Sequence, residues 1–157
     1  MRAAVLDGPN SAATMQLGDT FDPTLVAWVF TPDDLLNLGQ AIRTAVEVVP
    51  DLETTGLDEL AVTNGRWNGG VGARGVLASF TLPQPDEVGD PVTWVLPLSH
   101  PESPWIGHWR KVLAKVFQLI VDEDKAVCNQ NVKFDARWVY AQSATGVDIS
   151  GPVSYTH

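Results

Sequence analysis

The chain has one cysteine, Cys128, among its 157 residues. A single thiol cannot close an internal disulfide or build a multi-thiolate zinc site. Basic side chains are also scarce: 10 Lys and Arg stand against 19 Asp and Glu, for a net charge of −9. That balance argues against a protein that holds polyanions with a broad basic surface. It leaves room for an acidic site that binds cations first, because a bound metal ion brings its own positive charge. No apolar run approaches the ~18 residues of a membrane-spanning helix, so no membrane partner is expected. The N-terminus, Met1-Arg2-Ala3-Ala4-Val5-Leu6-Asp7-Gly8, holds one basic residue and a very short apolar stretch, a poor match to a secretory signal. A cytoplasmic location is the default expectation.

Hydrophobic residues make up 45% of the chain and charged residues 18%, the mixture of a globular protein rather than a disordered one. At ~150 residues per domain, the length allows one domain with a real core. Residues 1–22 read as a loose leader, and residues 1–30 as an N-terminal extension to a domain over 31–157. The apolar run at residues 25–30 has strand length. Thr31-Pro32-Asp33-Asp34 marks a helix start: Thr31 can cap, Pro32 suits the first turn, and two acids sit at the positive end of the helix dipole. Residues 44–49 are rich in β-branched side chains and predict a strand. A further strand start is expected at 60–63, a Gly-rich loop at 64–75, strands at 76–82 and 92–96, and a turn at 83–91. Together these form a meander. Ser103-Pro104 then opens a helix whose apolar stripe is Trp105, Trp109, Val112, Leu113, Val116, Phe117 and Ile120. A short strand at 126–128 and a helix at 131–142, with Trp138 and Val139 turned inward, complete the pattern.

The feature with chemical content is Asp51-Leu52-Glu53. In an extended strand, residues two apart point to the same face. Two carboxylates would therefore project together from the end of an apolar strand, and their repulsion calls for an offset. A divalent cation, taking oxygen ligands from both, supplies one. A solvated turn is the plain alternative for two acids alone.

The surrounding residues extend the pattern. Asp51-Leu52-Glu53-Thr54-Thr55-Gly56-Leu57 resembles the first motif of the 3′–5′ exonucleases of the ribonuclease H-like superfamily. Asn131-Val132-Lys133-Phe134-Asp135, continued by Ala136-Arg137-Trp138, resembles their second motif, Asn-x-x-(aromatic)-Asp. The two occur in the family's order, one after a strand and one on a helix. The resemblance is strongest to the proofreading domain of family A DNA polymerases, especially phage-encoded ones, and covers roughly residues 31–153. It implies an α/β fold, a ribonuclease H-like mixed sheet flanked by helices. It also implies two Mg²⁺ or Mn²⁺ ions acting on a terminal phosphodiester. Asp51 would bridge both metals, Glu53 would bind the water-activating one, and Asp135 would serve the second. Asn131 would orient substrate or water, Leu57 and Phe134 would wedge or stack against the terminal nucleotide, and Thr54 would add a contact to it. Ordinary core packing is the competing role for Phe134, and an exposed helix acid the competing role for Asp135. The implied substrate is a single-stranded or frayed DNA 3′ end in the cytoplasm, that of a bacterial host if the gene is a phage's. Lys133 and Arg137 would lend basic contacts.

The sequence departs from this family in three places. Pro50 precedes Asp51, where a strand residue with an N–H is the rule, and a proline is expected to end pairing early or shift the acids. Cys128-Asn129-Gln130 replaces the usual Gly-His or Gly-Gln. The third motif, Tyr-x-x-x-Asp or His-x-x-x-x-Asp, is absent after Asp148, so the domain is expected to be C-terminally incomplete and weakened in activity. Two other functions stay open: a non-catalytic fragment working with a separately encoded polymerase piece, and a stand-alone exonuclease of the proofreading-subunit type acting on DNA or RNA. Gly70-Val71-Gly72-Ala73-Arg74-Gly75 spells a dinucleotide fingerprint but precedes a strand rather than a helix, so it reads as a hairpin loop. His100-Pro101-Glu102 lacks the cysteine pair of a zinc deaminase, and no G-x-S-x-G elbow is present.

Overall fold

The computed structural model describes residues 23–55, 74–83, 92–129, 131–142 and 146–149. The leader at 1–22, the expected strand start at 60–63, nearly all of both loops, and Leu57 lie outside these residues. After a 3-10 turn at Pro23–Leu25, the elements are β1 (Val26–Trp28), α1 (Pro32–Thr44), β2 (Glu47–Thr54), β3 (Gly75–Leu82), β4 (Val92–Pro97), α2 (Trp109–Asp122), β5 (Ala126–Val127) and α3 (Val132–Gln142). The strands form one mixed sheet in the order β1-β4-β3-β2-β5. β2, β3 and β4 are an antiparallel meander. β5 joins β2 in parallel, and β1 joins β4 in parallel. The chain is thus of the expected α/β class, a mixed sheet flanked by helices. β1 falls within the stretch read as an extension, and it forms one edge of the sheet.

Thr31 starts α1 as the sequence predicts. Its hydroxyl accepts from the Asp34 N–H, and the Asp34 carboxylate accepts in return from the Thr31 N–H, a capping box. Hydrogen bonds from the Thr31 side chain, and then from the Thr31 and Phe30 N–H groups, hold the Asp34 carboxyl below its ordinary range. The strand expected at 44–49 begins later, at Glu47. Thr44 stays helical because its hydroxyl donates back to the carbonyls of Gln40 and Ala41. The Lys125 ammonium then takes the free carbonyls of Arg43 and Ala45, at 2.7 and 2.8 Å. The helix expected from Ser103 begins instead at Trp109. Ser103 donates its hydroxyl to the Pro97 carbonyl and accepts from the Trp105 N–H, so it shapes a turn rather than capping a helix. Trp105 still reaches the core and donates Nε1–H to the Val29 carbonyl at 2.9 Å.

Alternation along β2 sorts its side chains: Val48, Pro50 and Leu52 are buried, while Asp51 and Glu53 are exposed. The buried face carries Ala78, Phe80, Leu82 and Leu96 on the neighbouring strands. α1 and α2 cover this face. Phe117 of α2 meets Phe80 with ring centroids 5.5 Å apart. α1 lines a cleft of about 100 Å³ with Leu82 and Trp94, and α3 packs beside α2. Val76 is an extra residue opposite the Glu53/Thr54 step, and this bulge turns Gly75 onto the helical face. A Cβ on Gly75 would lie 3.1 Å from Leu98 Cδ1.

Candidate functional site

Pro50 does not end the pairing of β2. Register with β3 runs unbroken from Val49↔Thr81 through Pro50↔Phe80 to Glu53↔Leu77. The reason is directional. The Cys128 N–H donates to the Val48 carbonyl at 3.1 Å, so Val48 presents its backbone groups to β5. Two residues on, Pro50 faces the same way. The N–H that proline lacks belongs to the β5 side, not to the β3 ladder. β5 itself pairs only with Glu47 and Val48.

Asp51 and Glu53 therefore keep strand geometry and share the face opposite α1 and α2. Both are exposed, and Asp51 pairs in register with Ser79. Asp135 comes from the first turn of α3 and is buried, 3% exposed. Burial and the nearby charge of Asp51, in that order, raise its carboxyl to about 7, against a lowering by the side-chain hydrogen bond from Asn129. Asp51 and Asp135 are thus brought together from distant parts of the sequence. Glu53 stands one step further along the same strand face. Among the described residues, no three His, Cys, Asp or Glu side chains gather closely enough to hold a metal ion as a group. The donor set is two neighbouring carboxylates, Asp51 and Asp135. It fits a hard divalent cation in chemistry, since both ligands are oxygens, and lacks the number of ligands for a closed cage.

Asn129 was not singled out by the sequence as a functional residue. Its Nδ2 donates to the Pro50 carbonyl at 2.6 Å and also to the Asp135 carboxylate, while its Oδ1 accepts from the Asn131 N–H at 3.3 Å. It ties the end of β5, the middle of β2 and the acid on α3 into one unit. Asn131 is exposed and starts α3 through its carbonyl, which accepts from the N–H groups of Phe134 and Asp135. Phe134 is half-buried, packs against the core and lies 5.9 Å from the Trp138 ring. Thr54 ends β2, half-buried, opposite Gly75. Trp138 Nε1 is buried and has no hydrogen-bond partner among the described residues. The clefts along α1 and α2 contain neither acid.

No family model matches this sequence, and no curated protein matches it. Among solved structures, the chain is similar to the RNase domain of the yeast Pop2 protein, at 12% identity and a TM-score of 0.46. That alignment covers 83% of this chain and 64% of the yeast domain. A chain in the structure of the yeast NOT1 MIF4G domain co-crystallized with CAF1 aligns at 13% identity and a TM-score of 0.46, over 76% of this chain and 60% of that one. The chain therefore spans less than two thirds of the length of either neighbour. Among the described residues, no helix is long and apolar enough to cross a membrane.

Proposed function

We propose that the chain is a ribonuclease H-like 3′–5′ exonuclease domain of the proofreading type, acting on DNA 3′ ends. The observation that carries this reading is the pairing of Asp51 with Asp135. Acids from two stretches far apart in sequence lie close enough for the charge of Asp51 to raise the Asp135 carboxyl, which supports a shared site. A buried acid beside a second acid is costly without a cation between them.

Asp51 and Asp135, with Glu53 beside them, would hold Mg²⁺ or Mn²⁺. When bound, such ions supply an activated water and charge stabilisation at the leaving oxygen. The chain's own residues do the rest. β2 presents Asp51 and Glu53 on one face, and Asn129 fixes the rotamer of Asp135 by a hydrogen bond. Phe134, held against Trp138, keeps the first turn of α3 in place. Thr54 and Leu57 would meet the terminal nucleotide.

A second reading is a non-catalytic piece that works with a separately encoded polymerase chain. It is favoured by the absence of a three-acid cluster among the described residues. The test is hydrolysis of a 5′-labelled single-stranded oligonucleotide with Mg²⁺ or Mn²⁺, for the wild type and Asp51→Ala. Stepwise shortening that needs the metal and is lost in Asp51→Ala supports the exonuclease. Robust hydrolysis insensitive to that substitution defeats the site assignment. No hydrolysis, together with no metal binding by calorimetry, favours the non-catalytic piece.

A further inference from the structure

We propose that Trp28 and Phe30 form a base-stacking platform for single-stranded nucleic acid, receiving bases a few nucleotides away from the end held at Asp51 and Asp135. The proposal rests on the exonuclease reading and adds to it a second contact with the strand.

The argument begins with register. Trp28 pairs with Val95, Val95 with Ser79, and Ser79 with Asp51. Directly paired residues point to the same side of a sheet. Trp28 therefore stands in the same row and on the same face as Asp51. It lies three strands away, or about 14 Å at the ordinary strand spacing. Neither α1 nor α2 packs on this face, because both lie on the other, and α3 approaches it only beside Asp51, where Asp135 stands. Ser79 and Val95, the floor between the two ends of the row, are half-buried and small enough for a strand to cross.

The aromatic pair has the form such a platform needs. Trp28 is 49% and Phe30 44% exposed, although both are large apolar side chains. Their rings stack with centroids 5.6 Å apart and planes 18° from parallel. The backbone beneath them is held from two directions. The Phe30 N–H donates to Asp34 Oδ2 at 3.1 Å, and the Val29 carbonyl accepts from Trp105 Nε1 at 2.9 Å. An exposed apolar surface that is rigid in advance costs little to use in binding.

Charge also favours stacking as the source of affinity. A chain with net charge −9 has little capacity to hold a polyanion through its phosphates. Base–aromatic stacking needs no positive charge and accepts any base, as a nuclease that shortens a strand stepwise requires.

The test measures binding of 5′-fluorescein oligothymidylates by anisotropy in Ca²⁺. A dinucleotide is compared with an oligomer long enough to reach β1, for the wild type, Trp28→Ala, Trp28→Phe and Asp51→Asn. The expected result is that the oligomer binds more tightly than the dinucleotide to the wild type. Trp28→Ala should lose that length-dependent gain, about tenfold in Kd, and Trp28→Phe should restore most of it. Wild-type length dependence in Trp28→Ala, with binding lost in Asp51→Asn, overturns the platform and leaves the exonuclease reading intact. A wild type that binds no oligonucleotide overturns both. A concentration-dependent dimer in sedimentation that dissolves in Trp28→Ala, without any change in oligomer affinity, assigns the pair to self-association and overturns the platform.

Discussion

Replacing Asp135 with Asn should make the metal-free protein more stable at neutral pH, the opposite of what a substitution at a buried polar residue usually does. Asp135 titrates at about 7 in the folded chain, raised from 3.8 by burial and by the charge of Asp51. In the unfolded chain neither influence acts. Between these two values the folded state holds a proton that the unfolded state has released. Stability therefore falls as pH rises through this window, and the loss is complete above pH 7. At about 1.4 kcal/mol per pH unit, the full gap corresponds to about 4 kcal/mol. Relaxation of the site and water entering beside the exposed Asp51 lessen both the burial penalty and the repulsion, which leaves about 2 kcal/mol. Asparagine has the same shape, carries no charge, and keeps an oxygen to accept from Asn129. The assay is urea unfolding in EDTA across pH 4 to 8. The two proteins should coincide near pH 4 and separate steadily toward pH 8, with Asp135→Asn the more stable. Adding Mg²⁺ should narrow or reverse the order, because a cation that binds only the folded wild type at about 100 times its Kd contributes about 2.7 kcal/mol. A wild type whose stability relative to Asp135→Asn holds constant or grows as pH rises would refute the reasoning, since Asp135 would then not be an acid held neutral by its surroundings.

Other predictions follow from the same contacts. Asn129→Ala removes the one hydrogen bond that lowers the Asp135 carboxyl, so its titration, followed by carboxyl ¹³C NMR, should move to higher pH; a downward move would show that Asn129 does not act on the acid. Phe117→Ala should cost about 3–5 kcal/mol in chemical unfolding, because the ring is fully buried against Phe80 and its removal leaves a cavity. Thr31→Ala should cost about 1 kcal/mol by losing the α1 cap, with Thr31→Ser retaining most of it; equal losses in both would mean that the hydroxyl is not the stabilising group.

Much of the fold was legible because it is written in local patterns. The Thr31-Pro32 start of α1, the apolar stripe of α2, the meander of β2 to β4 and the inward turn of Trp138 and Val139 each follow from spacing or from a single capping residue. The misplaced helix ends have one origin, whereas Pro50 was misjudged because the sequence does not show which neighbour its missing N–H would face. Periodicity shows which side chains are buried but not where a hydroxyl donates. Ser103 and Thr44 each had two structural options, and a distant or upstream carbonyl decided between them. The site was legible only as two separate motifs. That Asp51 and Asp135 are neighbours is a property of the β2–β5 pairing and of the turn into α3, which no local pattern records. The row that joins Trp28 to Asp51 depends on three registers at once, and for that reason the two exposed aromatics carried no functional signal in the sequence.

Pro50 and Asn129, which the sequence presents as two separate departures from the family pattern, form one device in the structure. A residue with an N–H at position 50 would offer β5 another ladder bond. Proline offers none, and β5 pairs only as far as Val48. The Pro50 carbonyl would then face the β5 side without a backbone partner. Asn129 Nδ2 fills that place, acting as the ladder's missing donor, and the same amide nitrogen reaches the Asp135 carboxylate. After Cys128 makes the last backbone bond to β2, the chain leaves the sheet two residues past β5 with the Asn129 amide side chain in place of backbone pairing, then turns through Asn131 into α3. The position of Asp135 relative to Asp51 is thereby coupled to the backbone of the strand that carries Asp51, rather than to a loop free to drift. A proline that looks harmful to the strand shortens one neighbour, keeps the other, and gives the asparagine the carbonyl that anchors the second acid.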